Sequence, residues 1–337
     1  MNRKILKIVW LVIGLALLTG VIVKAGPADI LQAFVASLQR PLLLVGSVLL
    51  TVLARAAFLL KWHLMSQRAG AQVSFRQSLY LFGTISLVGT FTPGRAGELV
   101  VPLLMRGGGR LTAVAFVNRI LESSWTLAVG ILAALFLLDR NSYVTLLWGV
   151  GIGLSVLGVV MVILSRRRYM QRVLDLVRAC LKPFAWFRPV AWLLAQESRY
   201  SDGMNLVYDA SERLMRLSSF LIFSVLMLAI WLLVVTSSYL LILATVPPGE
   251  KEITYMLVVA SVATSAVAIY VSPIPGGLGL SELSVVALFS QLGYAGGVFV
   301  PYLLLSRVFD HLIVIGIYLV ARVAGKELPP PPAPVAE

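Results

Sequence analysis

The chain contains 337 residues, of which 59% are hydrophobic and only 13% are charged. Soluble domains carry about 25% charged residues, so this composition excludes an ordinary water-soluble fold. The net charge of +13 would suit a nucleic-acid-binding protein, but the basic residues lie between long apolar runs, where they are typical of cytoplasmic membrane anchors. We therefore expect an all-α polytopic membrane protein that does not bind nucleic acid.

The predicted elements begin with a basic N-terminus and an apolar run over residues 5–23, which we interpret as an uncleaved first span rather than a signal peptide. Residues 24–40 are expected to form a loop on the outer side. A second span over residues 41–62 then returns to a cytoplasmic loop that carries Lys61, Arg68 and Arg76.

The next stretch, residues 77–105, is interrupted in its middle. Its first apolar segment, Leu79–Thr92, has 14 residues and would form a helix of about 21 Å, which is shorter than the hydrocarbon layer of about 30 Å. The segment breaks at Pro93-Gly94, and a second short apolar piece follows. We predict a re-entrant hairpin that enters and leaves on the cytoplasmic side, with two tilted full spans as the alternative.

Two spans and a basic segment follow. Residues 112–138 are predicted to lead outward and residues 143–164 to lead back. The segment 165–216 contains ten Arg/Lys and five Asp/Glu, which predicts amphipathic cytoplasmic helices that lie on the anionic lipid surface. A further span over residues 217–246 leads outward again.

A second interrupted stretch, residues 253–292, breaks at its Pro-Ile-Pro-Gly-Gly sequence and enters from the outside on this topology. A last span over residues 298–321 returns to the cytoplasm, and the tail 328–337, with five prolines, is expected to be disordered. We therefore predict one transmembrane domain, residues 1–327, in the cytoplasmic (inner) membrane. Both of its termini are predicted to lie inside.

The two interrupted regions share an order of motifs. The first reads Pro93-Gly94-Arg95-Ala96-Gly97-Glu98, and Arg119 and Glu122 follow on the next span; the second reads Pro275-Gly276-Gly277-Leu278-Gly279-Leu280-Ser281-Glu282, and Arg307 and Asp310 follow. Since the two parts enter from opposite faces, we predict an inverted repeat of about six full spans plus two broken-helix hairpins. Such repeats are typical of secondary transporters, which bind their substrate at the repeat interface.

Charged residues inside the apolar segments each cost about 2.5–3.5 kcal/mol at mid-depth unless they are paired or hydrated. Arg119 with Glu122, and Arg307 with Asp310, stand at i,i+3 on one helical face and are expected to pair. The helix dipole opposes a cation at the position of Arg95, so we expect this residue to contact Glu98 or a lipid phosphate. Arg55 either lies in the membrane interior or snorkels toward the cytoplasm with Lys61.

The candidate residues fall into two groups. The predicted substrate-binding residues are Arg95, Glu98, Arg119, Glu122, Glu282, Arg307 and Asp310. The predicted helix-break residues are Pro93, Gly94, Gly97, Pro275, Gly276, Gly277 and Gly279. Cys180 is the only cysteine, the two histidines are far apart in sequence, and no P-loop spacing is present, so we expect no metal or other cofactor.

On these motifs and their order, the chain resembles the lysylphosphatidylglycerol synthase transmembrane family over about residues 5–325. The resemblance implies movement of a polar or anionic lipid between leaflets, with matching positions at Arg95, Glu98, Arg119 and Glu282. Two-part members carry a soluble aminoacyltransferase domain, whereas this chain ends in the proline tail, so we expect no synthase activity. The cargo stays open among phospholipid, glycolipid and polyprenyl-linked lipid.

Two other functions are compatible with the sequence. The chain would be a non-catalytic partner if the basic segment 165–216 recruited a lipid-synthesising enzyme at the cytoplasmic face. It would be an enzyme if it modified a lipid within the membrane, but it has no recognisable catalytic motif. We therefore favour a lipid flippase over both alternatives.

Overall fold

The computed structural model describes residues 3–92, 94–95, 97–104, 108–137, 207–246 and 252–325. The predicted span 143–164, most of the segment 165–216, the tail 328–337 and Pro93 lie outside these ranges. Within them the regular elements are helices: α1 (Arg3–Ala25), α2 (Pro27–Leu38), α3 (Pro41–Arg68), α4 (Phe75–Thr90), α5 (Gly97–Leu104), α6 (Gly108–Leu137), α7 (Leu217–Thr245), α8 (Tyr255–Val271), α9 (Leu280–Gln291), a short 3-10 helix (Gly296–Phe299) and α10 (Val300–Gly325).

By length and composition, three stretches of these helices can cross a membrane: Pro41–Arg68, Leu217–Thr245 and Gly297–Val323. A fourth crossing results if α1 and α2, which meet at an angle of 79°, form one bent span. The described residues therefore support a multi-pass membrane protein with three or four apolar spans.

The predicted outer loop 24–40 is wrong, because most of it is helix α2. Gly26 has a φ of +85°, which turns the chain, and Pro27 then stands at the first helical position. Proline is favoured there because its fixed φ suits the helix and its missing N–H is not needed. The turn signal was present in the sequence, but it joins two helices rather than a helix and a loop.

Local capping defines where the two broken helices begin. Ser74 and Gln77 form a reciprocal capping box at the start of α4, with Gln77 N donating to Ser74 Oγ at 3.3 Å and Ser74 N donating to Gln77 Oε1 at 2.8 Å. At the start of α8, the hydroxyl of Thr254 accepts from Leu257 N at 3.3 Å. The two helices have 16 and 17 residues, about 25 Å each, so neither reaches across the hydrocarbon layer.

The helices next to the two breaks pack reciprocally. Helix α4 precedes the first break and lies along α10, which follows the second break. In the same way, α8 precedes the second break and lies along α6, which follows the first break. The breaks also touch, because Gly94 N donates to Ser272 O at 2.9 Å. At Gly276 a Cβ atom would lie 2.8 Å from Thr90 O, so a glycine is needed where the two backbones approach.

Polarity is distributed as in a membrane protein, with apolar side chains outside and ionisable ones inside. On α3, Leu42, Leu49 and Leu53 are exposed, whereas Ser47 and Lys61 are fully buried. In a water-soluble helix the opposite pattern is expected. The outward leucines therefore suit contact with lipid, and the buried polar face of α3 borders the site.

Candidate functional site

A cavity of about 340 Å³ lies between the two breaks and helices α3, α6, α7 and α10. Aromatic side chains such as Phe58, Trp231 and Tyr270 form part of its wall. Six of the seven predicted substrate-binding residues line it: Arg95, Glu98, Glu122, Glu282, Arg307 and Asp310. The seventh, Arg119, reaches the same network from α6 through its contacts with the first break.

At the first break, Glu98 is shared by two arginines. Its Oε1 lies 2.6 Å from Arg95 Nη2, and its Oε2 accepts from Arg119 Nη1 at a longer 3.5 Å. The carboxylate fits against α4 because Gly89 has no side chain, since a Cβ there would lie 2.6 Å from Glu98 Cγ. Arg119 also donates to Gly94 O at 2.8 Å and stacks its guanidinium 3.8 Å from the centre of the Tyr270 ring.

Arg95 has an unusual backbone conformation. Its φ is +56°, and it is the non-glycine residue with positive φ in the part of the chain that the structure describes. This region of conformational space is uncommon for residues with a side chain and is concentrated at functional sites. The strained backbone holds the guanidinium at the cavity wall beside Glu98, which favours a binding role for Arg95.

At the second break, Glu282 and Arg307 play similar parts. Arg307 Nε lies 2.6 Å from Glu282 Oε1, and Arg307 also donates to Gly276 O at 3.3 Å and to Ser281 Oγ at 2.6 Å. The other carboxylate oxygen of Glu282 accepts from Gly279 N at 2.8 Å, which caps helix α9. In both breaks an arginine on the following helix therefore binds the acidic residue of the first turn and a glycine carbonyl.

The helix-break candidates lie where the sequence suggested a break. Gly94 stands between α4 and α5, Gly97 begins α5, and Pro275, Gly276, Gly277 and Gly279 stand between α8 and α9. Gly94, Gly276, Gly277 and Gly279 have positive φ. Pro93 lies outside the described residues, so its part in the first break stays a prediction.

The expected pairs at i,i+3 do not form, because each residue has an ionic partner on another element. Arg119 contacts Glu98, and Arg307 contacts Glu282. Glu122 Oε1 lies 3.7 Å from Lys61 Nζ, and Asp310 Oδ1 accepts from Arg55 Nε at 2.9 Å. Arg119 and Arg307 point toward the breaks, where glycine carbonyl oxygens accept additional hydrogen bonds from them. A partner on the same helix would not provide these hydrogen bonds.

Lys61 was placed wrongly in a cytoplasmic loop. Helix α3 continues to Arg68, and Lys61 is fully buried within it, 4.8 Å from the centre of the Phe58 ring and paired with Glu122. Arg55 is likewise held by Asp310 instead of snorkelling. Lys61 stands seven residues after Ala54 and shares its helical face, and both side chains are buried in the structure.

The charges of the ion-pair network beside the cavity do not balance. Among the described residues, the ion-pair network contains five cations (Arg55, Lys61, Arg95, Arg119 and Arg307) and four anions (Glu98, Glu122, Glu282 and Asp310). The surplus cation arises at Glu98, which serves two guanidinium groups. Two of these cations, Lys61 and Arg119, are not among the residues that line the cavity, so the surplus belongs to the network and not to the lining. A network with a surplus cation beside a partly apolar cavity suits an anionic group such as a phosphate that is attached to an apolar chain.

A metal centre is not indicated within the described ranges, where no group of three His, Cys, Asp or Glu side chains could hold an ion. The absence of a cofactor therefore stays a prediction. The polar groups that line the site within the described ranges include guanidinium, carboxylate, hydroxyl and amide groups, which can bind an anion and exchange ionic partners.

Comparison with known protein families identifies the family of this chain. The family described as the lysylphosphatidylglycerol synthase TM region matches residues 8–317, which includes both breaks and every residue of the site. No curated protein and no solved structure matches the chain.

Proposed function

Because the chain belongs to the lysylphosphatidylglycerol synthase transmembrane family, a family of membrane domains, we propose that it moves a polar lipid with an anionic phosphate between leaflets. The observation that carries this proposal is the cavity at the meeting point of two broken helices, beside an ion-pair network that contains one more cation than anions. A lipid phosphate supplies the missing negative charge. In this proposal the lipid crosses unchanged, so no catalytic residue is assigned.

Exchange of partners at Glu98 is the proposed binding step. Removing the partner of a buried charge costs about 3–5 kcal/mol, so most of the ion pairs resist opening. Glu98 is different, because it can release Arg119, whose contact is the longer one at 3.5 Å, and keep Arg95 at 2.6 Å. A phosphate oxygen can then bind Arg119 without leaving any charge unpaired.

We further propose that the two broken-helix regions form an inverted repeat that gives access to the cavity from one side at a time. Two observations support this: the reciprocal packing of α4 on α10 and of α8 on α6, and the matching hydrogen bonds from Arg119 to Gly94 O and from Arg307 to Gly276 O. Transporters with broken helices are organised in this way, with the site at the repeat interface.

The orientation is proposed from the basic residues at one end of the bundle. Arg110 donates to Gly70 O at 2.7 Å and Arg68 donates to Ser219 Oγ at 2.9 Å, so the end of α3 and the starts of α6 and α7 share this end. Arginine and lysine are enriched on the cytoplasmic side of membrane proteins. We therefore propose that this end faces the cytoplasm and that the protein resides in the cytoplasmic membrane.

Translocation in proteoliposomes tests the proposal, with head-group-labelled anionic, zwitterionic and glycolipid probes. The wild type is compared with the site variants Arg95→Ala and Glu98→Gln. The matched controls, Arg216→Ala and Glu212→Gln, make the same substitutions at exposed positions away from the cavity. We expect the wild type and both controls to accelerate flipping of an anionic probe, and the two site variants to lose most of that acceleration.

Two results would contradict the proposal. If Arg95→Ala and Glu98→Gln flipped lipid as fast as their controls, the cavity would not be the pathway. If folded wild-type protein flipped none of the probes, the favoured function would become a partner of a lipid-synthesising enzyme, and the basic segment 165–216 would be used to capture it.

A further inference from the structure

Two arginine side chains from distant parts of the chain meet beside Gly70, where α3 ends. A Cβ atom at Gly70 would lie 2.9 Å from Arg213 Nη1 and 3.8 Å from Arg110 Nη1. Arg110 stands in the first turn of α6, and Arg213 belongs to the helical residues 207–215 that precede α7. The fold therefore places two guanidinium groups side by side at the basic end of the bundle.

Gly70 makes room for this pair. Its φ is +78°, a left-handed conformation that is common for the glycine directly after a helix, and Ala71 N donates back to Ser66 O at 3.0 Å. Any side chain at this position would collide with the Arg213 guanidinium. Arg110 is held in place because its Nη1 donates to Gly70 O at 2.7 Å. The backbone of Gly70 therefore fixes one arginine and leaves space for the other.

The two arginines have no anionic partner in the part of the chain that the structure describes. The ion pairs between described residues belong to the network beside the cavity. Asp209 and Glu212, the acidic residues of the helical residues 207–215, form no ion pair with Arg110 or Arg213. Neighbouring guanidinium groups repel each other, and one anion that contacts both replaces this repulsion by attraction. The pair therefore favours an anion from outside the described chain.

A phosphate is the kind of anion that fits this pair. Both side chains are exposed, so an anion can reach them. A guanidinium group has five N–H donors, and Arg110 gives one of them to Gly70 O. A phosphate has several acceptor oxygens and can bind two guanidinium groups at once, and arginine is the usual residue for such recognition.

The surroundings indicate that this phosphate belongs to a lipid. Phe75 is 51% exposed and Leu217 is 73% exposed, and they follow shortly after Gly70 and Arg213 in the chain. The Phe75 ring packs edge-on against His63, with 5.4 Å between the ring centres, and His63 precedes the end of α3 by more than one turn. Apolar side chains therefore adjoin the arginines on the membrane side, which is the order of acyl chains and phosphates in a leaflet.

We propose that Arg110 and Arg213 together bind the phosphate of an anionic phospholipid in the leaflet at the basic end of the bundle. Neither arginine is among the described residues that line the cavity, so this lipid is not the one that the cavity binds. The bound phosphate joins the end of α3, the start of α6 and the helical residues 207–215. This inference goes beyond the proposed function and does not require that the protein move lipid.

The test measures lipid binding to the purified full chain in detergent by native mass spectrometry, with phosphatidylglycerol as the anionic probe and phosphatidylcholine as the reference without net charge. One basic side chain near a lipid head group contributes about fivefold to binding, so Arg110→Gln with Arg213→Gln should weaken binding of one phosphatidylglycerol molecule about 25-fold. Arg322→Gln with Lys24→Gln, which removes two charges at exposed positions elsewhere, is the matched control and should bind like the wild type. The loss should persist in an Arg95→Ala background, because the cavity is a different site.

The inference is overturned if the double variant binds phosphatidylglycerol as tightly as its control does, or if Arg95→Ala removes the difference, which would place the lipid in the cavity. Equal binding of phosphatidylcholine by the wild type would also overturn it. Inorganic phosphate and a polyglutamate peptide are tested as soluble anions. If either binds as tightly as phosphatidylglycerol and is lost in the double variant, the site belongs to a soluble anion or an acidic protein and not to a lipid.

Arg213→Gln alone breaks no hydrogen bond or ion pair between described residues. It should still weaken binding of phosphatidylglycerol about fivefold, and it decides the question if the double variant folds poorly. Since the readout is binding outside the cavity, a failure to flip lipid would contradict the proposed function and leave this result standing.

Discussion

At the scale of single residues, Glu98 and Glu282 occupy equivalent positions after the two breaks, but their carboxylates differ in how many fixed partners they have. Glu282 is 2% exposed, and its two oxygens are used by Arg307, by Ser281 Oγ and by the Gly279 N–H that it caps. Glu98 makes no such capping bond among its described contacts and divides its carboxylate between two arginines. Glu282 therefore stabilises the second break, whereas Glu98 is free to exchange partners.

This difference predicts unequal effects of the same substitution. Glu98→Gln should abolish phosphate-dependent flipping with a modest loss of stability, because Arg119 keeps its hydrogen bond to Gly94 O and the carbonyl oxygen of the new glutamine side chain can still accept from Arg95. Glu282→Gln should lower the unfolding temperature more strongly, since it removes the charge that compensates the buried Arg307. Thermal unfolding in detergent and proteoliposome flipping, measured on both variants, separate the two roles. Equal losses of stability would contradict the assignment.

Lys61 gives a second prediction at this scale. It is fully buried, and its carboxylate partner Glu122 lies 3.7 Å away. Lys61→Ala leaves a buried carboxylate uncompensated, which typically costs about 3–5 kcal/mol. We expect a marked fall in unfolding temperature that Lys61→Met with Glu122→Gln partly restores, because the pair is then replaced by neutral groups. Lys24→Ala, at an exposed position, is the control, and a Lys61→Ala variant as stable as this control would refute the buried pair.

From the sequence, the residues that belong to the ion-pair network could be predicted, but which of them pair with each other could not. Arg95 and Glu98 could be found because they adjoin a Pro-Gly break, and Arg119 and Arg307 because arginine is rare in an apolar segment. Pairing was predicted from spacing along one helix, but the actual partners lie on other elements, as with Arg119 and Glu98. Spacing on one helix contains no information about which other helix lies opposite, so this part required the tertiary structure.

At the scale of elements, the two breaks depend on backbone contacts that no side chain can replace. Gly276 has a φ of +59°, and a Cβ there would lie 2.8 Å from Thr90 O on α4. The Pro-Gly motifs predicted that the helices would break, and four glycines with positive φ lie in those breaks: Gly94, Gly276, Gly277 and Gly279. Contact between the breaks was not predictable, because it follows from the packing of α4 on α10 and of α8 on α6.

Gly276→Ala tests the contact between the breaks. The added methyl group meets a backbone atom and must adopt a left-handed conformation, so we expect a loss of at least about 1 kcal/mol in unfolding free energy. Gly316→Ala is the matched control, because nothing lies within 4 Å of the added Cβ in the middle of α10. There alanine should be neutral or stabilising by up to about 1 kcal/mol. Equal unfolding temperatures for the two variants would contradict the close approach of the breaks.

At the scale of the whole molecule, the arrangement combines a polar centre with an apolar exterior. The ion pairs connect α3, both breaks, α6 and α10, so each of these elements holds a charge that another element compensates. An isolated charge of this kind costs several kcal/mol in lipid, which favours assembly of the complete bundle. These pairs form a chain of contacts from the first break through α6, α3 and α10 to the second break, which in the proposed mechanism links their movements.

The proposed orientation predicts which end of α7 is accessible from outside the cell. Arg216 precedes this helix at the basic end, and Glu252 follows it beyond the opposite end; both side chains are exposed. The helix has 29 residues, about 44 Å, so the two positions stand on opposite sides of a hydrocarbon layer of about 30 Å. In a Cys180→Ser background, which removes the only cysteine, a membrane-impermeant maleimide should label Glu252→Cys in intact cells and Arg216→Cys only after permeabilisation. The reverse pattern would invert the proposed topology, and labelling of both positions in intact cells would show that α7 does not span the membrane.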